Sequence, residues 1–286
     1  MATTAVGAPV PAGVRPAPRV RPASALATLA RRRVALTART PRQIAVPLLG
    51  PLLLALVAAP ALDAATGGLG SQIDYAAFID VGTISLLIPL SCIFAGLSVI
   101  VDRHGGAQRE LLTAPVPRAY LVLGNLAVAG VLALLQVVVL LALAALRGAD
   151  LAISASSIGW FAGATVLFIL FMYGLAETLA GRIEKEEDYL GAVPAVAILP
   201  FFFAGALFPI GAMPAALTFV AKLLPLTHAL ALMRYALVDP AGSGLHDIWG
   251  MSDPTTEAWL SLGVVALFAA VLLALAIRSF TRAAVR

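Results

Sequence analysis

Residues 190–238, LGAVPAVAILPFFFAGALFPIGAMPAALTFVAKLLPLTHALALMRYALV, decide how this chain must fold. One continuous helix of this length would rise roughly 70 Å at ~1.5 Å per residue, about twice the ~30 Å hydrocarbon core of a bilayer. The stretch must therefore break, and prolines mark the breaks because they interrupt the helical hydrogen-bond ladder. They stand at positions 194, 200, 209, 214 and 225. The pattern predicts one span ending near Pro209, then two short apolar helices that form a re-entrant hairpin.

The composition of the whole chain places it in a bilayer. Its mean hydropathy is +0.98, 61% of its residues are hydrophobic and 12% are charged, a balance outside the range of soluble globular proteins. Apolar runs of about 18 residues, long enough to cross a membrane, recur along the chain. We predict an all-α polytopic membrane protein with one membrane domain at 25–286 and six transmembrane helices. The expected spans are 43–62, 79–101, 119–146, 157–180, 190–209 and 258–277.

The N-terminal region is strongly basic, with eight arginines and no acidic residue among its first 42 residues. The Pro/Ala/Arg-rich part at 1–24 is predicted to be a disordered basic cytoplasmic tail. Residues 25–43 interleave leucine and valine with arginine, which predicts an N-terminal interfacial helix. A basic tail that only sets the topology explains the same pattern. No apolar signal-peptide core precedes residue 43, so we expect no cleaved secretory signal.

The distribution of basic residues predicts the orientation, because membrane loops rich in lysine and arginine stay in the cytoplasm. With the N-terminus inside, every lysine and arginine except Arg147, Lys222 and Arg234 falls in a cytoplasmic segment. Both termini are therefore predicted to be cytoplasmic. The segment 210–257, which contains the hairpin, is predicted to face outward.

Several catalytic chemistries are excluded by the residues present. Neither of the two lysines follows a glycine-rich turn, so the sequence has no P-loop. The three histidines lie in different segments, which excludes a histidine-based triad and an HExxH zinc site. Cys92 is alone within a span and is interpreted as a packing residue. Asp80 and Glu177 are expected at interface level, so no mid-membrane carboxylate indicates ion coupling, and the energy source is expected to be another chain.

The segment 102–118, DRHGGAQRELLTAPVPR, is the second informative stretch. After Gly105 and Gly106, residues 107–113 can form about two turns of amphipathic helix that end before Pro115. Such a helix can dock into a groove of a partner protein, although an ordinary connecting loop has a similar composition. The second inward loop, GRIEKEEDY, is acidic and is either solvated or part of the same contact.

Together these segments resemble the ABC-2 family of exporter permeases. The loop is similar to that family's E-R-E-x-G-x-x-x-x-L-x-x-x-P-V-x-R segment, through Asp102, Arg103, Gly106, Arg109, Glu110, Leu111, Leu112, Pro115, Val116 and Arg118. Residues 200–235 are similar to its P-x-x-F-x-S-G-x-x-F-P-x-x-x-x-P…P-L-T…R segment, through Pro200, Phe203, Gly205, Phe208, Pro209, Met213, Pro214, Pro225, Leu226, Thr227 and Arg234. Asp102 and His104 replace family glutamates, and Ala204 stands where serine is frequent. The resemblance covers about residues 25–280 and is closest to the daunorubicin-resistance type of drug and lipid exporters.

The resemblance implies a six-helix permease of a bacterial cell membrane that pairs with a second permease and two cytoplasmic ATP-binding subunits. ATP and Mg²⁺ are then bound by the partner ATPase, and this chain is expected to bind no cofactor, to be no enzyme and to contact no nucleic acid. The loop after the second span becomes a cytoplasmic coupling helix, and the hairpin becomes an outer gate. The coupling residues are Arg103, Gly106, Arg109, Glu110, Leu111, Leu112 and Pro115. The gate residues are Phe208, Pro209, Met213, Pro214, Pro225, Thr227 and Arg234.

A transport path with few charges favours a hydrophobic or amphipathic cargo, such as a drug, natural product or lipid. Asn125 and Gln136 of the third span are candidate cargo contacts, with interhelical hydrogen bonding as the alternative. Lys222, His228 and Arg234 either meet polar groups outside or anchor the hairpin at the membrane interface. The rival functions are export of a lipid-linked glycan, ion-coupled secondary transport, membrane-embedded catalysis and non-transporting assembly.

Overall fold

A computed structural model describes residues 22–39, 41–66, 74–106 and 117–283. Within these ranges the chain is built from helices and contains no strand, which confirms the all-α prediction. The first half contains α1 (Pro22–Ala38), α2 (Arg42–Leu53), α3 (Ala59–Thr66), α4 (Tyr75–His104), α5 (Arg118–Leu146) and α6 (Ala155–Ala180). The second half contains α7 (Glu186–Gly191), α8 (Leu199–Phe203), α9 (Ala215–Leu223), α10 (Pro225–Leu237), α11 (Ser243–Trp249) and α12 (Pro254–Ala283).

Five segments of the described ranges are long and apolar enough to cross a bilayer, and α9 with α10 forms a further apolar pair bent by 87°. The five segments are Ala45–Leu62, Tyr75–His104, Ala119–Leu146, Ala155–Ala180 and Pro254–Phe280. The chain is therefore a multi-pass membrane protein with five or six spans. Whether the bent pair is a re-entrant hairpin, as the sequence predicts, depends on its depth in the membrane and stays a prediction.

The stretch 190–238 is broken after Phe203 and again at Pro209, Pro214 and Pro225, whereas the helix continues through Pro200. A π-helical turn at Pro194–Ile198 leads into α8, and the helix ends at Phe203, six residues before the predicted end at Pro209. Gly205 follows with a φ of +77°, a left-handed conformation that glycine adopts without strain. A 3-10 turn at Ile210–Ala212 then precedes α9 and α10, so the two short helices expected after the break are present.

Two π-helical turns, Leu54–Ala58 and Pro194–Ile198, each end two residues before a proline. Pro60 and Pro200 lack an N–H group, and their rings would clash with the carbonyl four residues earlier. That carbonyl lies in the middle of each π-helical turn. Since a π-helical turn is wider than an α-helical turn, it makes room for the ring and lets the helix continue through the proline.

The centre of the bundle is formed by α4 and α6. α4 packs against α2, α3, α5, α6 and α10, whereas α12 packs along α6. α6 and α12 approach closely at Gly174 of α6, where an added Cβ would lie 2.8 Å from the backbone nitrogen of Leu273. Small residues at such crossings let helix backbones approach within van der Waals distance. α6 and α12 thus pack closely along their length.

The N-terminal helix α1 begins at Pro22 and packs against α5. Its start lies within the segment 1–24 that was predicted to be disordered, of which residues 1–21 lie outside the described part of the chain. The helix predicted at 25–43 therefore exists, while its position on the membrane surface stays a prediction. Arg33 is buried and contacts Asp102 at 2.9 Å, so this face of α1 meets protein.

Candidate functional site

The end of the bundle where α4 and α6 terminate is held together by Arg103; we call it the loop end. The Arg103 guanidinium donates hydrogen bonds to the carbonyl oxygens of Ala180 at 2.7 Å and Ile183 at 3.3 Å. The last carbonyls of a helix have no partner within the helix, and a cation also complements the helix dipole there. Arg103 therefore fastens the end of α4 to the end of α6.

Two further contacts join neighbouring segments at the loop end. Asp102 accepts a hydrogen bond from Arg33 of α1 at 2.9 Å. Nδ1 of His104 lies 3.9 Å from a carboxylate oxygen of Glu186, in the second loop. The end of α4 thus lies next to the start of α7.

Only some of the predicted coupling residues lie in the part of the chain that the structure describes. Arg103 and Gly106 are described, and Gly106 ends the α4 segment with a φ of +76° that favours glycine. The helix expected at 107–113 lies outside the described residues. So do the coupling residues Arg109, Glu110, Leu111, Leu112 and Pro115.

The two candidate cargo contacts lie in one cleft between α1, α4 and α5. Asn125 and Gln136 both line a cavity of about 40 Å³. Asn125 also lines a second cavity of about 20 Å³ next to Asp102. Oε1 of Gln136 accepts a hydrogen bond from Oγ of Ser91 at 2.5 Å, so the interhelical bond weighed as the alternative is present for this residue. Asn125 makes no such bond with any residue that the structure describes.

Four further polar residues of the two cavities were missed in the sequence: Arg32, Arg33, Ser91 and Ser98. The spacing contained a signal, because Ser91, Ser98 and Asp102 are separated by seven and four residues and share one face of α4. No such spacing indicated Arg33, since it lies on a different helix, α1.

The hairpin end of the bundle, where α9 and α10 lie, is organised by Arg234. This residue is 6% exposed, and its guanidinium donates to the carbonyl oxygens of Gly205 at 2.7 Å and Ala206 at 2.6 Å. It also donates to the carbonyl of Phe78 and lies 3.3 Å above that residue's ring. The sequence predicted that Arg234 either anchors the hairpin at the interface or meets polar groups outside. In the structure its donors instead bind carbonyls that are left free where α8 ends.

The other predicted gate residues divide into an exposed and a buried set. Phe208, Pro209 and Pro214 are exposed, and Met213 is half-buried. Pro225, at the first position of α10, and Thr227 are buried. His228 is buried as well; its ring contacts Ser261 and the carbonyl of Lys222. The exposed set can contact lipid or a partner, whereas the buried set holds the hairpin on the bundle.

Asp80 and Glu177 are both enclosed by protein, while their expected depth at interface level stays a prediction. Asp80 is 3% exposed and pairs with Arg147 from the end of α5. Glu177 is 2% exposed, and its carboxylate accepts a hydrogen bond from Tyr173 at 3.0 Å. Buried charges need such partners because the bilayer interior cannot solvate them. Among the described residues, no cluster of three His, Cys, Asp or Glu side chains could hold a metal ion.

The apolar spans and the broken helices define a multi-pass α-helical membrane protein. Its buried ionic side chains are paired, so few polar groups of the described residues are left free for chemistry. The profile of the ABC-2 type transporter family matches residues 24–238, and the chain belongs to this family. The resemblance seen in the loop and hairpin segments is thereby confirmed. The family is one of ABC-2 type transporters, to which membrane permease subunits belong.

Two relatives have names that refer to nodulation and to transport. Nodulation protein J of Sinorhizobium fredii is 25% identical over 183 residues, which are 60% of this chain and 66% of that protein. The putative transport permease ycf38 of Porphyra purpurea is 32% identical over 168 residues, which are 57% of this chain and 56% of that protein. The chain thus spans less than two thirds of the length of either relative.

Proposed function

We propose that this chain is the membrane subunit of an ABC exporter that moves a hydrophobic or amphipathic compound out of a bacterial cell. The energy comes from two cytoplasmic ATP-binding subunits, which hold ATP and Mg²⁺, and a second permease completes the path. The observation that carries this proposal is the family match over residues 24–238. The sequence shown has no P-loop, and we propose that ATP hydrolysis takes place in these partner subunits.

Coupling runs through the loop after α4, which faces the cytoplasm. Closure of the ATP-binding subunits pushes on Gly106 and on Arg109, Glu110, Leu111, Leu112 and Pro115. Arg103 passes this displacement from α4 to α6, because it is hydrogen-bonded to the carbonyls of Ala180 and Ile183. Since α6 packs along α12, the movement reaches the far side of the bundle.

The opposite end of the path is the hairpin end, which faces outward. Arg234 holds the segment after α8 against α4 and α10. The exposed gate residues Phe208, Pro209 and Pro214 stand beside it. Exposed apolar side chains on α9, including Phe219 and Leu223, fit a surface covered by lipid or by the second permease. The gate opens when these short helices move away from the bundle.

Reconstitution with the ATP-binding protein encoded beside this chain tests the proposal. The complex should co-purify, and its ATPase activity should rise with a transported amphiphile. The variant Leu111→Asp should abolish this stimulation, because a charge would face the ATP-binding subunit. Asp150→Arg, an exposed position at the other end of α5, is the matched control and should leave it intact. Failure to co-purify, or normal stimulation with Leu111→Asp, would contradict the proposal.

A further inference from the structure

A polar stripe runs along facing surfaces of α4 and α5. Ser91, Ser98 and Asp102 lie on α4, and Asn125 and Gln136 lie opposite on α5. Each set extends along its helix by roughly 16 Å at ~1.5 Å per residue. The stripe therefore starts at the loop end and reaches about halfway across a bilayer core of ~30 Å. We call the two cavities along it the polar cleft.

The side chain of Asn125 has no hydrogen-bond partner among the residues that the structure describes. This residue is the only asparagine in the sequence. It lines both cavities of the cleft. An amide without a partner at this depth is costly, so its donors and acceptor are available to a ligand.

The mouth of the cleft at the loop end carries positive charge. Arg33 and Asp102 neutralise one another at 2.9 Å. Arg32 lines the second cavity beside them and forms no ion pair with any residue in the described part of the chain. One uncompensated guanidinium at a water–membrane boundary attracts an anionic group, and its planar donors suit phosphate oxygens.

The size and borders of the cleft restrict what it can hold. Cavities of about 40 and 20 Å³ have room for a small polar group and not for a whole amphiphile. Beside the cleft, the face of α5 exposes Val131, Leu135 and Val139. Their spacing of four residues places them in one apolar row along the helix. An acyl or other apolar tail can lie along this row while the polar group occupies the cleft.

We infer that the polar cleft binds the headgroup of an anionic, phosphate-bearing amphiphile, with its tail along the apolar row of α5. This inference rests on the proposed export function and names its substrate class. Arg32 receives the headgroup at the loop end, and Asn125 binds its oxygens further into the membrane. Ser91 and Gln136 form the inner limit of the cleft.

Photolabelling of the full chain in nanodiscs tests the site without any ATP-binding subunit. The probes are phosphatidylglycerol and phosphatidylcholine analogues that carry the same photoreactive group near the headgroup. Phosphatidylglycerol should label peptides from 88–100 and 121–136, and phosphatidylcholine should label them weakly. Asn125→Leu and Arg32→Gln should each reduce this labelling about 3- to 10-fold, the worth of one lost hydrogen bond or ionic contact. The matched controls Ala127→Leu, on the exposed side of α5, and Arg182→Gln, exposed after α6, should label like the native chain.

Competition on the native chain keeps the inference testable if a variant fails to fold. Unlabelled phosphatidylglycerol should displace the probe at lower concentration than phosphatidylcholine does; equal displacement would overturn the inference. Equal labelling of Asn125→Leu, Arg32→Gln and the two control variants would also overturn the inference. In the complex with the ATP-binding subunit, ATP should deplete the bound probe if the site receives cargo. Retention of the probe under ATP would assign the cleft to a resident phospholipid and overturn the substrate assignment.

Discussion

Nη2 of Arg234 donates to the carbonyl oxygen of Ala206 at 2.6 Å, across 28 positions of sequence. The same guanidinium binds Gly205 and Phe78 and so joins α10, the end of α8 and the start of α4. The break in the helix after Phe203 is therefore stabilised by one distant residue.

The first prediction concerns this contact. Arg234→Met should destabilise the protein by roughly 3 kcal/mol, because buried carbonyls lose their partners. Arg234→Lys should cost less, since an ammonium group still donates to one or two of them. Thermal unfolding followed by tryptophan fluorescence in detergent measures the difference. Lys222→Met, at a half-buried lysine of the neighbouring helix, is the control; an equal loss in both methionine variants would refute a special role for Arg234.

A second prediction addresses the link between α4 and α6. Arg103→Gln should leave ATP hydrolysis measurable in the reconstituted complex while transport per ATP falls at least about fivefold, within the usual range of coupling energies. The loss of one tie between two helices should uncouple their movements. Arg182→Gln removes an exposed arginine from the adjacent loop and should have no effect. Transport at the native ratio in Arg103→Gln would show that the force takes another route.

The crossing of α6 and α12 offers a matched pair of glycines. Gly174→Ala should destabilise the fold by about 1–3 kcal/mol, because the new Cβ would overlap the backbone of α12. Gly159→Ala, in the same helix with nothing within 4 Å of its Cβ, should be neutral or stabilising by up to about 1 kcal/mol. Unfolding temperatures of both variants in the same detergent compare them directly. Similar values would mean that the helices do not approach this closely.

The buried pair of Asp80 and Arg147 is suited to a double-mutant cycle. Asp80→Asn and Arg147→Gln should each cost roughly 3 kcal/mol, since each leaves one charge without its partner. The double variant should be more stable than the sum of the two losses implies, because no charge is then left unpaired. Additive losses would indicate that the two side chains do not interact in the membrane.

The proposed orientation can be tested by labelling of intact cells with an impermeant thiol reagent. Native Cys92 is buried and should not react. A cysteine introduced at exposed Ser252, in the turn before α12, should be labelled from outside, and one at exposed Lys185, between α6 and α7, only after lysis. The reverse pattern would invert the topology and place the hairpin in the cytoplasm.

Much of the fold could be read from local sequence because its causes are local. Apolar runs are long enough to cross a bilayer whatever surrounds them, and Pro60 and Pro200 disturb the helices that contain them. The sequence also allowed the prediction that Asn125 and Gln136 line one cleft, since both lie on one face of α5. The helix end at Phe203 could not be predicted from local sequence, because Arg234 stabilises it from another helix.

The sequence by itself determined a helical membrane protein, the region in which the stretch 190–238 breaks and, through two motif segments, its family. Only the tertiary structure decided how the ionisable residues are used. Arg234, Asp80 and Arg33 looked like interfacial charges, yet each is buried against a partner at least 28 positions away. The physical reason is that a charge in an apolar environment needs a partner, and which partner it has depends on helix packing and not on neighbouring residues in the chain.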